Sequence, residues 1–280
     1  MTGRALRRAL ALLFAIGGIP AFDAAAATSA VPRCTAPPAL IRFTAPLPHA
    51  ANRMRRQGLL RIVAIGSSST SGVGASSPTH AYPARLAVLL ASRLPGGRVE
   101  IFNKGVGGET AVDMLGRFDR DVFPLHPDLV VWQVGTNAVV RGDDLSHYDV
   151  VLRQGIKRLK AAGIDIIVMD PQYAPPVLAA AGHADLERRL EAIGRDTDVP
   201  LFHRFAIMRY LHEAAQVDFG AMLAPDSLHM NDFGYDCMAR LLADAIVGTA
   251  ARPVATNAAL RQARRPAGFP VLEDARDGEH

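Results

Sequence analysis

Short apolar segments alternate along the chain with longer segments in which apolar residues recur at helical spacing. The first apolar segment, Leu60–Ile65, is rich in β-branched residues and ends at Gly66. Because polar and apolar positions do not alternate within it, this segment is typical of a strand in a sheet buried on both faces. Similar patterns predict four further strands, at 99–103, 128–134, 164–169 and 199–202.

Amphipathic helices are predicted between and after these strands, at 80–93, 110–120, 146–162, 184–195 and 231–247. In the first of them Leu86, Leu89 and Leu90 share one face, and the turn residues after Leu94 end it. Strands that alternate with helices predict a three-layer α/β/α sandwich around a mostly parallel five-stranded sheet, with a flavodoxin-like arrangement. The active site of such a fold lies beyond the carboxyl ends of the strands.

Residues 1–27 are predicted to be a secretory signal peptide. Arginines at positions 4, 7 and 8 precede an apolar run over 9–22, and Ala24–Ala27 supplies small residues for cleavage. A membrane anchor is the alternative, but the run is shorter than the roughly 20 residues that a spanning helix needs. The mature protein is therefore expected to be secreted or periplasmic, without a membrane span.

The rest of the chain divides by composition into three parts. The proline- and alanine-rich residues 28–58 predict an extended N-terminal arm, residues 59–250 the α/β domain, and residues 251–280 a flexible tail. Cys34 in the arm and Cys237 in the last helix can pair in an oxidising compartment. The alternative is two unrelated thiols, one of them buried.

The basic charge of the whole chain comes partly from its N-terminus. Without residues 1–27, which carry three Arg and one Asp, the formal net charge falls from +4 to +2. The remaining arginines are scattered and often lie beside acidic residues. This pattern gives no reason to expect a nucleic-acid partner.

Candidate catalytic groups follow the first predicted strand, in Gly66-Ser67-Ser68-Ser69-Thr70-Ser71-Gly72. A serine at a strand-to-helix turn projects its hydroxyl above the edge of the sheet. The segment is not the G-x-S-x-G motif of α/β-hydrolases, because position 70 is Thr. A Ser/Gly turn without chemistry is the alternative.

Two further strand ends carry groups that suit an oxyanion hole. The second strand leads into Asn103-Lys104-Gly105-Val106-Gly107-Gly108-Glu109-Thr110, which fails the G-x-G-x-x-G dinucleotide motif because its last position is Thr110. The N–H groups of this loop can instead bind an oxyanion, and so can the amide of Asn137 after the third strand. Simple turns are the alternative in both places.

A loop before the last helix contains Asp226 and His229, three residues apart. An Asp can hold the Nδ1–H of a His and leave its Nε2 free to take a proton from a serine. A capped loop or a metal pair is the alternative. The other histidines show no ligand spacing, so neither a metal nor another cofactor is predicted.

Taken together and in this order, the four segments resemble the GDSL, or SGNH, hydrolase family over about residues 60–248. The resemblance implies Ser68 as nucleophile, Asp226 and His229 as its acid–base partners, and Gly108 and Asn137 with the Ser68 N–H as the oxyanion hole. Ser67 stands where the family motif has Asp. That Asp is not the triad Asp, so its loss is expected to spare the chemistry and to change how the turn is held.

The resemblance implies an exported serine esterase that hydrolyses short acyl esters, with O-acetyl groups of carbohydrate as a candidate substrate. Its expected partners are small-molecule or carbohydrate esters. The same groups could serve an O-acyltransferase, and a non-catalytic carbohydrate-binding domain is the alternative from another class. Tyr173, after the fourth strand, is a candidate for lining the pocket or for packing in a loop.

Overall fold

Five parallel strands form the central sheet of the protein, whose computed structural model describes residues 33–94 and 96–251. The strands are β1 (Leu60–Gly66), β2 (Val99–Gly105), β3 (Leu129–Gln133), β4 (Asp165–Met169) and β5 (Leu201–Phe202). They lie in the order β2-β1-β3-β4-β5, and Val63 pairs with Phe102 on one side and with Val130 on the other. This order is that of flavodoxin-like folds.

Helices cover both faces of the sheet. In chain order the α-helices of the described residues are α1 (Pro38–Ile41), α2 (Pro48–Arg55), α3 (Ser68–Ser71), α4 (Tyr82–Arg93), α5 (Ala111–Gly116), α6 (Phe118–Asp121), α7 (Thr136–Arg141), α8 (Tyr148–Ala161), α9 (Pro175–Leu178), α10 (His183–Thr197), α11 (Arg204–Glu213), α12 (Phe219–Met222) and α13 (Asp232–Ala250). Two short 3-10 helices span Pro78–His80 and Phe123–Leu125.

The helices divide into two layers. Helices α2, α4 and α13 pack together on one face of the sheet, and α5, α8 and α10 pack on the other. Gly155 of α8 lies directly against the ring of buried Trp132, where a Cβ would collide with the indole. The predicted three-layer α/β/α sandwich is confirmed, because a sheet that is apolar on both faces needs a helical layer on each.

Two features of the helices differ from the sequence prediction. The helix predicted over 110–120 is broken at Arg117, whose buried side chain turns inward to bind backbone carbonyls. Helices α7 and α11 were not predicted. In α11 the buried residues Phe205, Ile207, Met208 and Leu211 recur at helical spacing, so its signal was present in the sequence.

The described part of the arm, residues 33–58, is not extended as predicted. It contains α1 and α2, and a proline occupies the first position of each. Proline fits there because its missing N–H would have no helical partner. The prolines therefore mark helix starts, and Phe43, Leu47 and Met54 are buried in the core.

Polar contacts hold this arm against the amino ends of the strands. The Ala50 N–H of α2 donates to Oδ2 of Asp165 at 2.9 Å. The Nε of Arg53 donates to Oδ1 of Asp128 at 2.7 Å. Asp128 and Asp165 lie at the starts of β3 and β4, so the arm is bound at the sheet edge opposite the predicted active site.

A disulfide joins the arm to the last helix. Cys34 and Cys237 are bonded, with their Cα atoms 5.3 Å apart and a sequence separation of 203. Cys237 is buried in α13. The predicted pairing is confirmed, and the alternative of two unrelated thiols is wrong.

Other predicted segments lie outside the described residues. They are the signal peptide at 1–27 and nearly all of the tail at 251–280. Over the part of the chain that the structure describes, no helix is both long enough and apolar enough to cross a membrane.

The disulfide is expected to contribute to stability without affecting the strand ends. Replacing both cysteines with alanine should lower the free energy of unfolding by about 2–5 kcal/mol, because the unfolded chain regains the freedom of a long closed loop. The melting temperature should then fall by about 5–15 °C. Thermal unfolding with and without a reductant measures this change.

The wild-type protein in reductant is the control, and its melting temperature should fall to that of the double variant. Equal melting temperatures for the oxidised wild type and the double variant would contradict a stabilising role for the bridge.

Candidate active site

The predicted nucleophile lies immediately beyond the carboxyl end of β1. Strand β1 ends at Gly66, Ser67 caps the short helix α3, and Ser68 is the first residue of that helix. The side chain of Ser68 is partly exposed, whereas Ser67 and Ser69 are buried. Of the three consecutive serines, Ser68 is therefore the one that the fold presents at the sheet edge.

Gln133 at the end of β3 holds this turn in place. Its Oε1 accepts from the Ser67 N–H at 2.9 Å, from the Ser67 hydroxyl at 3.1 Å and from the Thr70 hydroxyl at 3.1 Å. An ionised carboxylate at position 67 could not donate to this oxygen as the Ser67 hydroxyl does. Ser67 and Gln133 thus fit each other, and their bonds brace the turn in the absence of the family Asp.

Asp226 folds its own loop around its carboxylate. Oδ1 accepts from the backbone N–H groups of Leu228 at 3.0 Å and of His229 at 2.9 Å, and Oδ2 lies 2.6 Å from Nδ1 of His229. Ser227 takes a positive φ of 58° to allow this tight turn. One carboxylate therefore fixes both the loop and the imidazole that the loop carries.

The charge of Asp226 is stabilised by these bonds. Partial burial raises the pKa of the carboxyl, but the bonds from the His229 ring and from the Leu228 and His229 backbone outweigh that effect. The pKa of Asp226 consequently lies below its ordinary value. The carboxylate is anionic at neutral pH, and its contribution to stability is lost only as the pH falls through this lowered pKa.

His229 connects Asp226 to Ser68. Its Nε2 lies 2.7 Å from Oγ of Ser68. Because an ionised carboxylate can only accept, Nδ1 carries the proton shared with Asp226, and Nε2 of the neutral ring presents its lone pair to the Ser68 hydroxyl. The structure thus brings Ser68, His229 and Asp226 into one continuous chain of hydrogen bonds.

The glycine loop after β2 passes beside Ser68. A Cβ placed on Gly107 would lie 3.9 Å from Cβ of Ser68, so the backbone approaches closely there. Gly108 has a positive φ of 81°. No acceptor for the Gly108 N–H is found within residues 33–94 and 96–251. The loop therefore has a free donor near Ser68, at the residue predicted for the oxyanion hole.

Helix α7 holds two successive carbonyls of this loop. Nη2 of Arg141 donates to the Gly108 carbonyl at 2.6 Å, and Nδ2 of Asn137 donates to the Glu109 carbonyl at 2.8 Å. Asn137 and Arg141 are four residues apart and thus share one face of the helix. The second amide hydrogen of Asn137 is left for another acceptor, so the structure brings both predicted oxyanion residues together.

Arg117 contacts both ends of the same loop. The guanidinium is buried, donates to the Lys104 carbonyl at 2.8 Å and forms an ion pair with Glu109 at 2.6 Å. It also reaches the carbonyl of Gly66, at the end of β1, at 3.4 Å. The end of β1 and both ends of the glycine loop are consequently joined through one side chain.

Gln172 joins the oxyanion side of the site to the histidine side. It is fully buried just after β4. Its Oε1 accepts from the Thr136 hydroxyl at 2.9 Å, and its Nε2 donates to the Leu228 carbonyl at 3.1 Å. Thr136 precedes Asn137 and Leu228 precedes His229, so this one amide sets the spacing between the two groups.

Four side chains of the site were not predicted from the sequence: Gln133, Gln172, Arg117 and Arg141. A weak signal existed for the first two, since each is a polar residue at the end of an apolar strand. Of the two roles considered for Tyr173, the structure shows packing in a loop. It is buried, its hydroxyl donates to Glu213 at 2.8 Å, and its ring packs against Phe205 and Phe219.

Possible metal sites and a further cleft were also considered among the described residues. Over these residues no group of three or more His, Cys, Asp and Glu side chains is placed to hold a metal ion. A cleft of about 760 Å³ lies at the opposite edge of the sheet, beside Arg53 and Arg158. Both arginines are already paired, with Asp128 and Asp119 respectively.

Solved structures of esterases share this fold. A two-domain esterase (CEX) active on acetylated mannans aligns with a TM-score of 0.64 at 18% identity, over 76% of this chain and 56% of its own. A catalytic mutant of Axe2, an acetylxylan esterase from Geobacillus stearothermophilus, aligns at 0.56 and 24% identity, over 67% of this chain and 94% of its own. LAE5, an α/β hydrolase enzyme from the metagenome of Lake Arreo, aligns at 0.54 and 25% identity, over 69% and 97%.

Sequence comparisons also relate the chain to esterases and lipase-like proteins. An acetylxylan esterase of Geobacillus stearothermophilus is 31% identical over 102 residues, which make up 33% of this chain and 47% of that protein. The chain thus matches about half the length of this curated relative. A profile of the non-GDSL lipase-like family matches residues 33–252. The predicted resemblance to GDSL/SGNH-type hydrolases is confirmed, and the chain belongs to the non-GDSL lipase-like family.

Proposed function

We propose that the chain is a serine esterase that removes short acyl groups, in particular acetyl, from the hydroxyls of carbohydrate. The observation that carries this proposal is the hydrogen-bonded chain from Ser68 through His229 to Asp226, with contacts of 2.7 and 2.6 Å. This order is the one that nucleophilic acyl transfer requires, with a nucleophile, a base and a group that orients the base.

In the proposed acylation step, Oγ of Ser68 attacks the ester carbonyl while Nε2 of His229 takes its proton. The bond from carbon to the alcohol oxygen then breaks, and His229 gives the proton to that oxygen. Asp226 keeps Nδ1 protonated and stabilises the imidazolium that forms. Water repeats the sequence in deacylation, so the cycle uses only protein groups and water, without a cofactor.

Charge that develops on the carbonyl oxygen is proposed to be bound by the N–H groups of Ser68 and Gly108 and by the Asn137 amide. Two donors support this role: the free Gly108 N–H and the amide hydrogen of Asn137 that does not bind the Glu109 carbonyl. Donors fixed in advance stabilise a transition state without reorganising during the reaction. Arg141, Arg117 and Gln172 hold these donors and are proposed as positioning residues.

An acetylated carbohydrate is the proposed substrate for two reasons. The similar proteins include an acetylxylan esterase and an esterase active on acetylated mannans. Three residues at the rim of the site are also exposed: Val73 and Val106, with 43% and 44% of their surface, and Ser227. An open rim suits an ester group on a large hydrophilic molecule.

We also propose that the protein acts outside the reducing cytoplasm. The signal-like sequence at residues 1–27 and the Cys34–Cys237 disulfide support this location. An exported enzyme of this kind would meet acetylated polysaccharides as polymers or fragments.

Ser68→Ala should lower the rate of 4-nitrophenyl acetate hydrolysis by at least about 10³-fold, because the other groups then lack a nucleophile. Ser69→Ala is the matched control and should stay near the wild-type rate. A fluorophosphonate probe should label Ser68 in wild type and in Ser69→Ala. Wild-type rates in Ser68→Ala, or labelling of a different serine, would reject the assignment.

Asn137→Ala should lower kcat for the same ester by about 10²–10³-fold and change KM little, because the lost donor acts in the transition state. Asn52→Ala, on the remote helix α2, is the control for the same substitution. Steady-state kinetics measure both, and a kcat for Asn137→Ala within about twofold of wild type would exclude an oxyanion role.

Gln172→Met keeps the side-chain volume but removes the bonds to Thr136 and Leu228. We expect kcat to fall by about 10–100-fold, because small displacements between reacting groups are costly. The rate of fluorophosphonate labelling of Ser68 should fall in parallel. Gln154→Met, at an exposed position of α8, is the control, and an unchanged labelling rate in Gln172→Met would contradict the positioning role.

A further inference from the structure

A groove of about 440 Å³ borders the loop that carries Asp226 and His229. It opens between helix α12, the segment that follows this helix, and the loop after the nucleophile. Its walls include Gly74, Phe219, Gly220, Leu223, Pro225 and Ser227. Its volume falls within the roughly 300–1,000 Å³ of sites that bind small molecules.

The groove begins beside the chain segment that carries His229. A Cβ on Gly74 would lie 3.0 Å from Cβ of His229, and the N–H of Ala224 donates to the His229 carbonyl at 2.8 Å. The residue before Gly74, Val73, donates its N–H to the carbonyl of Ser68 at 3.0 Å. The walls are thus continuous with the backbone on both sides of the Ser68–His229 contact.

The side on which the groove lies decides which part of a substrate it can receive. In the proposed reaction the carbonyl oxygen faces Gly108 and Asn137, whereas the proton from Oγ of Ser68 reaches the departing alcohol oxygen through His229. The alcohol must therefore lie on the side of His229, away from the oxyanion donors. Gly74 and Ala224 place the groove on that side.

We infer that this groove is the subsite for the sugar alcohol of the substrate, an inference that rests on the proposed esterase function. When the Ser68 Oγ–carbon bond forms and the carbon–oxygen bond to the sugar breaks, the sugar accepts the proton from His229 while it occupies the groove. The acyl group stays on Ser68. The groove thereby determines which sugar alcohols the site accepts as the leaving part of the ester.

The lining of the groove suits a carbohydrate, which presents C–H faces and hydroxyls together. Phe219 and Pro225 supply apolar surface, and Phe219 is held rigidly because it stacks on His212 with ring centroids 4.0 Å apart. The hydroxyl of exposed Ser227 has no hydrogen-bond partner among the described residues. It is available to a sugar hydroxyl.

Asn231 closes the inner wall and is not itself a ligand donor. Its Nδ2 donates to the carbonyls of Ala221 at 3.0 Å and Leu223 at 3.2 Å, and its Oδ1 accepts from the Gly234 N–H at 3.0 Å. These bonds tie α12 to the start of α13. The groove is therefore preformed and does not need a ligand to organise it.

Gly220→Trp tests the inference. A Cβ at Gly220 meets no atom within 4 Å, so an indole can fill the groove without moving the backbone. We expect kcat/KM for acetylated xylo-oligosaccharides to fall at least tenfold. The kcat/KM for methyl acetate, whose methoxy group is too small to reach the groove, should stay within twofold of wild type. Methyl acetate hydrolysis also reports that the variant is folded, and Gly220→Leu gives a smaller blockage.

Gly248→Trp is the matched control, because Gly248 is also an exposed helical glycine with no atom within 4 Å of its Cβ position. It lies near the far end of α13, about 24 Å along the helix axis from Asp232. Both substrates should be cleaved at wild-type rates by this variant. A loss on acetylated xylo-oligosaccharides in Gly248→Trp would show that the effect is not specific to the groove.

Three outcomes would overturn the inference. Gly220→Trp could cleave both substrates like wild type, in which case the groove does not contact the sugar. It could instead lose methyl butyrate relative to methyl acetate, which would assign the groove to the acyl chain. A wild-type protein that cleaves none of these esters would reject the proposed function and with it the subsite, whereas the first two outcomes leave the esterase proposal intact.

Discussion

The parallel alignment of the five strands is the constraint on which the site depends. Parallel strands all end at the same edge, so the residues that follow them are brought together although they are far apart in sequence. Ser68 follows β1, the glycine loop follows β2, Asn137 follows β3 and Gln172 follows β4. The Asp226–His229 loop comes from outside the sheet, and it is the element whose position the strand register does not set.

Buried polar side chains fix the loop positions that the strand register does not set. Gln172 binds the loop of His229 to the start of α7, and Gln133 holds the turn of Ser68. A buried polar group that loses its partner costs about 1–3 kcal/mol, so each of these bonds strongly favours one arrangement of two loops. Arg117 acts similarly between β1 and the glycine loop. Ser68, His229 and the proposed oxyanion donors are therefore held relative to one another by a few buried amide and guanidinium groups.

Much of this architecture could be predicted from the sequence, because apolar runs and helical spacing are local signals. Five strands and the long helices α4, α8, α10 and α13 follow from such patterns, and Ser68, Asp226 and His229 were singled out by the resemblance to family motifs. The partners of Gln133 and Gln172 could not be predicted, since they depend on which strands are neighbours. The arm was predicted wrongly for a different reason. Its prolines suggested extended chain, but Pro38 and Pro48 occupy first helical positions, where proline is well tolerated.

The bond between Cys34 and Cys237 makes completion of the fold depend on redox conditions. Without this bond, the contacts that hold the arm include the burial of Phe43 and the ion pair between Arg53 and Asp128. Oxidation bonds the arm covalently to α13. The bond persists in an oxidising compartment and is lost in a reducing one, so the same sequence is more stable in the first.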